Sequence, residues 1–517
     1  MRRFGAQLLG LILLIHLLIA CGTASETAQP TTSTNAASEQ TANSNGVLRI
    51  GTGINLPVGL NVAQGSTGYN MVTYGAGETL MRFTVDNKLE PWLAESVSAL
   101  DATTWQIKLR QGVRFHDGSE LKASDVVTSF NSSWQNLSAA KNFIPADSKT
   151  TVIDDYTLIL STSQAEGSVP YSLANWNFVI HKPAVNGISV LTGMYQPMSL
   201  EKDQELVLER FANYWDGQAG LQKISVKKIP DANARSLALQ SGDLDLLTNV
   251  APDLASGLPA DIELQSVAGT RMHYVMLDSA YPPFDDRLVR QAMTLAIDRQ
   301  ALLQATLDGQ GAVATNLYPA SVGIELVEAQ IFDPAQAAKL LDQAGWVVGS
   351  DGMRRKNGQA LAFTLHSYPG RAEITMMAIA IQAQLKELGI AVEVKEVTDI
   401  GEIVEKGNFN ASMYSIGTSP DPQYTVGTTL IKGAAYNYAG YSNPAIESAF
   451  AELRAEQDHV KRITIAKRIQ TEVKNDPVNI YLASPPLITA YRKGSLSGYV
   501  PNPNDVYLIT KELKLNQ

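Results

Sequence analysis

The 517-residue sequence has almost no cysteine and few patterns of reactive side chains. Cys21 is its single cysteine, so an intrachain disulfide and a cysteine-based zinc cluster are both excluded. The six histidines show no His-x-x-x-His or His-Glu-x-x-His spacing, and no Gly-x-Ser-x-Gly motif occurs. We therefore expect no resident metal, no cofactor and no catalytic residue, with a secreted hydrolase as a remote alternative.

An excess of positive charge is also absent. The chain has 41 Lys and Arg against 51 Asp and Glu, a net charge of -10 and a pI near 5.2. Nucleic-acid binding relies on clustered basic side chains, and the basic residues here are dispersed. We expect no nucleic-acid partner. With 45% hydrophobic residues, the chain is long enough to bury two or more domain cores.

Two short motifs resemble those of a nucleotide-binding loop and a catalytic pair, but neither motif is complete. Gly51 and Gly53 follow a predicted strand, but Leu56 occupies the third position of a dinucleotide-binding loop and no P-loop lysine follows. His116 and Asp117 could form a catalytic pair. We interpret them as turn residues, because no nucleophile belongs to the pattern and Asp-Gly is a turn signal.

The amino terminus has the layout of an export signal. Residues 1–3 are basic, and residues 8–19 form an apolar run too short for a comfortable membrane span. The run ends in the letters L-I-A-C, which resembles a bacterial lipobox. This predicts a signal peptide at residues 1–20, lipidation of Cys21, and a lipidated, disordered tether at residues 21–46 that is rich in Thr, Ser, Ala and Asn. An ordinary signal peptide with an incidental cysteine is the alternative.

Residues 192–247 carry the most informative pattern in the chain. They predict two short strands followed by a helix, with Asp231 as the N-cap and Gly242 at the helix end. A third strand follows at residues 244–247. The turn between the first and second strands contains Tyr214 and Trp215.

This segment resembles the corresponding part of the extracellular solute-binding proteins of ABC importers known as family 5. The resemblance lies in the order of its motifs and elements: T-G-x-Y, strand, N-x-Y-W-x-G, strand, I-P-D, helix, S-G-D-x-D. That family includes peptide-, opine- and nickel-binding members. Further matches are E-x-L at Glu78, V-x-F-H-D-G around His116 and V-R-x-A-x-x-x-A-I-D-R at residues 289–299. The apolar positions of the last motif lie on one helical face, which predicts core packing and not a site.

The resemblance implies an α/β, two-lobe periplasmic-binding-protein-like fold of type II, cluster C. Lobe one is expected at residues 47–270 with an inserted subdomain at about 75–185, lobe two at residues 271–488, and a return to lobe one at residues 489–517. The implied function is capture of a small solute by lobe closure and delivery to the permease subunits of an ABC importer. We expect a monomer, lipid-anchored at the outer face of the cytoplasmic membrane. A sensor or chaperone-like lipoprotein without transport is the alternative.

The resemblance also implies where the solute binds. Arg371 lies between a predicted strand and the start of a predicted helix, a usual ligand position in α/β sheets. A solvated surface arginine is the alternative there, and buried packing is the alternative at residues 69–71. The predicted ligand-binding residues are Tyr69, Asn70, Met71, Trp176, Arg371, Thr418, Asp421, Tyr436, Asn437 and Tyr438.

The sequence departs from the resembling families at two positions that concern the ligand. Thr418 stands where peptide-binding relatives carry an aspartate that pairs with the free amine of a peptide. Nickel-binding relatives carry a histidine downstream, whereas no histidine lies between His366 and His459. The solute class therefore stays open among oligopeptide, opine and metal chelate.

Overall fold

Two β-sheets with helices packed against them form two lobes in the computed structural model, which describes residues 42–43, 46–329, 331–369, 371–504 and 506–516. These residues belong to one compact unit. The predicted signal peptide, Cys21 and most of the predicted tether lie outside them. In the part of the chain that is described, no helix has the length and apolar character needed to cross a bilayer.

The sheet of lobe one has seven strands. Their spatial order is Tyr195–Glu201, Glu205–Arg210, Lys223–Lys228, Val47–Thr52, Leu246–Leu247, Pro486–Arg492 and Ile262–Ala268. Val47–Thr52 pairs in parallel with both of its neighbours, and the remaining pairs are antiparallel. Leu48 and Ile50, which alternate along Val47–Thr52, are fully buried in the core of lobe one.

The sheet of lobe two has six strands. Their spatial order is Ala312–Val313, Asn479–Ser484, Arg271–Leu277, Ala411–Gly417, Ala362–Ser367 and Ala391–Glu396. Helices cover both faces. Val275 packs in the core on one face, whereas Tyr274 and Met276 pack in the core on the other, as the two-residue period of a strand requires.

A third, antiparallel sheet forms a subdomain beside lobe one. Its spatial order is Ala94–Ala99, Thr104–Leu109, Thr157–Ser161 and Lys149–Asp154, and the helix Ala123–Asn136 packs against it around Phe115 and Phe130. Smaller sheets complete the chain: Met81–Phe83 with Leu89–Pro91; Lys182–Val185 with Ile188–Val190; Val347–Val348, Arg354–Lys356 and Gln359–Ala360; and Ala42–Asn43, Lys514–Asn516 and Leu496–Ser497.

The strand Ala42–Asn43 falls within the segment that was expected to be a disordered tether. Its backbone pairs antiparallel with Lys514–Asn516 near the carboxyl terminus. These two residues therefore differ from the expectation, because a partner strand about 470 residues away in sequence satisfies their backbone groups.

The α-helices have the bounds Thr67–Thr73, Ala123–Asn136, Val169–Ser172, Ala232–Ser241, Pro252–Ala255, Arg287–Leu295, Arg299–Leu307, Pro334–Gln343, Ala372–Lys386, Ile400–Glu405, Pro422–Thr429, Pro444–Ala455 and His459–Asn475. Three 3-10 helices lie at Ser138–Asn142, Trp176–Phe178 and Ala320–Val322. The predicted helix after Asp231 is confirmed. The Asp231 carboxylate accepts from Ala234 N at 2.7 Å, and Gly242 ends the helix at φ 85°, a left-handed conformation that suits glycine.

The chain passes between the two large sheets twice. The first crossing, residues 269–270, joins Ile262–Ala268 to Arg271–Leu277, and the second is Pro485. The second crossing precedes the boundary expected at residue 488, because Pro486–Arg492 already pairs with Ile262–Ala268 in lobe one. Two adjacent crossings of this kind are a geometry in which hinge motion is possible.

Candidate functional site

A cavity of about 490 Å³ lies between the lobes and is walled by both of them. Lobe one and its subdomain contribute mainly aromatic side chains, and lobe two contributes the charged side chains among the described lining residues. The principal lining residues are Tyr69, Phe83, Phe143, Tyr171, Asn175, Trp176 and Tyr507 from lobe one, and Arg271, Arg371, Thr418, Ser419, Asp421 and Tyr424 from lobe two. Apolar walls with a few convergent polar groups are characteristic of small-molecule sites.

Tyr69 and Trp176 form the aromatic part of the lobe-one wall. Their rings meet edge to face, with centroids 6.4 Å apart and an angle of 80°. The helix Thr67–Thr73 can approach this closely because Gly68 has no side chain: a Cβ there would lie 2.6 Å from the carbonyl oxygen of Trp176. Asn175 starts the short helix of Trp176, since its side chain accepts from Asn177 N at 3.0 Å. Gly68 and Asn175 therefore set the local backbone that positions the two rings.

Two arginines line the lobe-two wall. Arg271 is the first residue of the strand Arg271–Leu277, immediately after the first crossing, and Arg371 is the N-cap residue of the helix Ala372–Lys386. Arg271 donates to the Ser415 hydroxyl at 3.5 Å, and an Arg371 nitrogen lies 3.9 Å from the Glu373 carboxylate. Arg371 therefore stands where the sequence predicted it, at a helix amino terminus and facing the cavity.

The buried His273 contacts both Ser415, a neighbour of Arg271, and Glu373, a neighbour of Arg371. His273 Nδ1 lies 3.0 Å from Ser415 Oγ, and His273 Nε2 lies 3.3 Å from Glu373 Oε1. Burial lowers the pKa of His273, outweighing the contact with Glu373. Burial raises the pKa of Glu373, but the contacts with His273 and Arg371 outweigh it, so the pKa of this carboxyl lies below its ordinary value. Near neutral pH we infer a neutral histidine and an ionised Glu373.

Thr418 and Asp421 border the cavity, but their side chains are already engaged. The Thr418 hydroxyl donates to the carbonyl oxygen of Thr270 at the first crossing. Asp421 forms a buried ion pair with Arg462 at 2.8 Å, the side chains being 8% and 1% exposed. Asp421 also accepts from the Ser168 hydroxyl of lobe one at 2.9 Å. Both residues line the cavity, and their side chains also make contacts within the protein, Thr418 at the first crossing and Asp421 with Arg462 and with Ser168 of lobe one.

Further contacts join the lobes beside the cavity. Glu166 of lobe one accepts from Gln423 at 2.5 Å and forms an ion pair with Arg454 at 3.1 Å. The rings of Phe143 and Tyr424 stack across the lobes, with centroids 5.4 Å apart and an angle of 7°. The lobes therefore meet directly beside the cavity.

Five predicted ligand residues do not line this cavity. Met71 is fully buried in the core of lobe one, and Asn70 borders a separate cavity of about 50 Å³ near Thr248 and Tyr499. The Asn437 side chain donates to the carbonyl oxygens of Ile431 and Tyr441 and accepts from Tyr441 N, so it stabilises its own turn.

Tyr436 and Tyr438 belong to an aromatic cluster in lobe two. Their ring centroids lie 6.2 Å apart, and Tyr438 lies 5.8 Å from Tyr414. The sequence pattern around these tyrosines therefore serves packing here, because the rings pack on one another instead of facing the cavity.

The sequence reasoning missed Arg271, Tyr171 and Tyr424. The available signal for Arg271 was its place as the first charged residue of a strand entering lobe two. Tyr171 and Tyr424 lie on short helices, Val169–Ser172 and Pro422–Thr429, whose apolar pattern gives no reason to expect a ligand wall. Among the described residues, no group of three or more His, Cys, Asp or Glu could hold a metal ion.

The comparisons agree with this architecture. A sequence profile of bacterial extracellular solute-binding proteins, family 5 Middle, matches residues 88–437. The nickel-binding protein NikA of Staphylococcus aureus (strain NCTC 8325 / PS 47) is 27% identical over 447 residues, covering 85% of this chain and 89% of that protein. The oligopeptide-binding protein AppA of Bacillus subtilis (strain 168) is 26% identical over 459 residues, covering 81% and 82%.

A solved structure is also similar. NikA from Brucella suis in complex with Fe(III)-EDTA matches with a TM-score of 0.82 at 23% identity. The match covers 91% of this chain and 100% of that chain. At this identity the similarity shows the fold, a two-lobe type II arrangement of mixed α/β lobes.

Proposed function

This chain belongs to the bacterial extracellular solute-binding proteins of family 5, and from that premise we propose that it captures a small solute between its lobes and delivers it to the permease subunits of an ABC importer. The observation that carries the proposal is the cavity of about 490 Å³, to which both lobes contribute walls. The proposed role is binding without catalysis.

The proposed mechanism is closure of the lobes on the solute. A solute that contacts Trp176 of lobe one and Arg371 of lobe two gains its full set of contacts only when the lobes are together, so it binds the closed state more tightly and shifts the equilibrium toward it. The contacts of Glu166 with Arg454 and Gln423 would then form in the same step. The permease would recognise the closed arrangement.

The proposed solutes are peptide-like, opine-like or metal-chelate molecules. The resemblance to family 5 implies these three solute classes, because that family has peptide-, opine- and nickel-binding members. The nickel-binding NikA and the oligopeptide-binding AppA are among the relatives of this chain. A metal would be cargo carried in a chelate, held through the chelator by the aromatic and guanidinium groups of the cavity.

The proposed location is the outer face of the cytoplasmic membrane. The support is the sequence around Cys21, whose acylation would anchor the chain as a lipoprotein. Each buried acyl CH2 contributes about 0.8 kcal/mol, so two or more acyl chains give stable attachment. We propose a monomer, because one chain supplies both walls of the cavity.

A panel of solutes tests the proposal by thermal shift. The panel contains tri-alanine, glutathione, an opine, nickel with L-histidine and nickel alone. Binding at about 100 times Kd stabilises the folded state by about 2.7 kcal/mol, which raises the melting temperature measurably. We expect at least one member of the panel to do so.

A cavity-filling variant tests whether the solute binds in the cavity. Ser66 is exposed, lines the cavity and makes no side-chain cap bond to its helix, so Ser66→Trp adds bulk without removing a contact of that kind. Gln64→Trp, at an exposed neighbour outside the lining, is the matched control. Loss of the thermal shift in Ser66→Trp and its retention in Gln64→Trp is expected. No shift with any solute, or equal shifts in both variants, would contradict the proposal.

A further inference from the structure

We propose that lobe two contains a second binding site, for a single anion of the size of chloride, at the buried Arg299. A cavity of about 20 Å³ lies there and shares no lining residue with the cavity between the lobes. Its lining comes mainly from the helix Arg299–Leu307, the strand Asn479–Ser484, the helix His459–Asn475 and residues 315–328. The inference goes beyond the proposed function, because the solute takes no part in it.

Arg299 is a buried charge that forms no ion pair in the part of the chain that the structure describes. It is 5% exposed, and burial lowers its pKa to about 10, so the guanidinium group stays charged near pH 7. Arg290, Arg354 and Arg462 are also buried in lobe two, and each of them forms an ion pair with an aspartate. Because a buried charge is unfavourable unless an opposite charge accompanies it, Arg299 favours an anion beside it.

Backbone carbonyl groups hold the guanidinium group of Arg299 in a fixed position. Its Nε donates to the carbonyl oxygen of Tyr481 at 2.6 Å. Its Nη1 donates to the carbonyl oxygens of Thr294 at 3.1 Å and Ile297 at 3.3 Å. A guanidinium group has five N–H donors, and these three bonds leave the two donors of Nη2 without a partner among the described residues. Since Arg299 lines the cavity, these two donors can bind an anion there.

Two further buried side chains that line the cavity have donors to offer. Asn316 Oδ1 accepts from Leu317 N at 2.7 Å, and its NH2 group donates to no described protein group. The Tyr481 hydroxyl is buried without a hydrogen-bond partner of good geometry in the described chain. Burial raises the pKa of Tyr481, and the Asn479 side chain only partly opposes this rise, so the hydroxyl stays protonated and can donate. A lining rich in donors suits an anion, which accepts from all of its neighbours, whereas a water molecule must also donate.

The charges of the lining leave one positive charge over. Lys474 and Glu328 both line the cavity, and their charged atoms lie 3.7 Å apart, so these two charges offset each other. The Glu328 side chain is 93% exposed, which places its carboxylate in solvent and away from the buried guanidinium. Arg299 is then the remaining charge of the described lining. A monovalent anion would neutralise it.

The size of the cavity limits the anion to one small ion. A single water molecule needs about 10–15 Å³ of such space, and the cavity has about 20 Å³. This volume suits chloride and excludes sulfate, phosphate and the solutes proposed for the cavity between the lobes. A chloride there would join the start of the helix Arg299–Leu307 to the strand Asn479–Ser484, which leads to the second crossing at Pro485. Chloride should therefore stabilise lobe two.

The test is thermal unfolding of the solute-free full chain while sodium chloride replaces sodium gluconate at constant ionic strength. Gluconate is too large for the cavity, so a general salt effect cancels. We expect the melting temperature to rise by about 2 °C or more and to saturate with chloride concentration, as binding to the folded state requires. In crystals grown with sodium bromide, an anomalous difference peak should lie within hydrogen-bond distance of Arg299 Nη2.

Two variants link the stabilisation to this cavity. Tyr481→Phe removes one donor, so the chloride concentration for half of the effect should rise about tenfold or more. Tyr274→Phe is the matched control and should keep the wild-type response. It removes another buried hydroxyl without a described partner, on a ring 6.1 Å from that of Tyr481, and Tyr274 does not line the cavity. Asn316→Asp supplies a carboxylate to the lining, so its melting temperature should no longer depend on chloride.

Three results would overturn the inference. They are a melting temperature that does not respond to chloride, an equal response in wild type and Tyr481→Phe, and the absence of bromide from the cavity. A bromide peak without saturable stabilisation would show an adventitious ion only and would overturn it as well. Because no solute is present in these experiments, their failure leaves the proposed solute capture untouched.

Discussion

Replacement of Glu78 by glutamine should change how the stability of lobe one depends on pH. Glu78 is buried, and its Oε1 accepts from the Tyr214 hydroxyl at 2.7 Å and from Trp215 Nε1 at 3.2 Å. Burial raises its pKa from an ordinary value of 4.5 to about 7, although the bonds from Tyr214 and Trp215 partly oppose the rise. The turn containing Tyr214 and Trp215 is thus anchored on an acid that is costly to ionise.

The magnitude follows from the two pKa values. In the unfolded chain Glu78 ionises near pH 4.5, and in the folded protein near pH 7. The stability associated with the protonated acid is therefore fully present below pH 4.5 and is lost as the pH rises through 7. One pKa unit corresponds to about 1.4 kcal/mol, so the loss is about 3 kcal/mol by about pH 8.

The assay is urea unfolding of wild type and Glu78→Gln at several pH values. The glutamine stays neutral and its carbonyl oxygen can still accept from both donors, so the free energy of unfolding of the variant relative to wild type should rise by about 3 kcal/mol between pH 4.5 and about pH 8. Glu393→Gln, at an exposed glutamate of lobe two, is the control for the substitution itself. A difference between Glu78→Gln and wild type that is constant with pH would refute the reasoning.

Two further predictions concern an ion pair of lobe two beside the contact between the lobes, and that contact itself. Arg462→Met leaves Asp421 buried without its partner, so we expect a loss of about 3–5 kcal/mol in the free energy of unfolding, measured in urea, and a loss below about 1 kcal/mol would contradict the assigned ion pair. Gly167→Ala places a Cβ against the carbonyl oxygen of Glu456 in lobe two, so it should weaken solute binding by about tenfold or more while leaving the melting temperature of the solute-free protein nearly unchanged. Gly257→Ala, where the nearest atom to a Cβ lies at 3.7 Å, is its control, and equal affinities of the two variants would argue against closure through this contact.

The sequence was sufficient where structure depends on neighbours along the chain. Asp231 and Gly242 delimit a helix because both act through bonds to residues within one turn. The turn interpretation of Asp117 is confirmed for the same reason: its carboxylate accepts from Ser119 N at 2.9 Å, and Gly118 has φ 83°. His116, beside it, is half-buried, and desolvation lowers its pKa to about 4, so it stays neutral near pH 7.

The site could be predicted only in part, because it depends on residues far apart in sequence. Ser168 and Asp421 are 253 positions apart, so the hydrogen bond between their side chains could not be predicted from local sequence. Asn437 shows that local bonds can also mislead. Its side-chain amide was expected to bind a ligand, but it donates to the carbonyl oxygen of Ile431 and accepts from Tyr441 N within its own turn. The position of Arg371 was predictable because a helix start is visible in local sequence, whereas the contact of Trp176 with Tyr69, 107 positions away, is not.

Solution X-ray scattering on the protein with and without the best-binding solute of the panel tests the central claim most directly. If the solute closes the lobes, its addition should reduce the radius of gyration of the wild-type protein and should have little effect on Gly167→Ala. A radius of gyration unchanged by a saturating solute in the wild type, or an equal reduction in Gly167→Ala, would contradict capture by closure at these contacts.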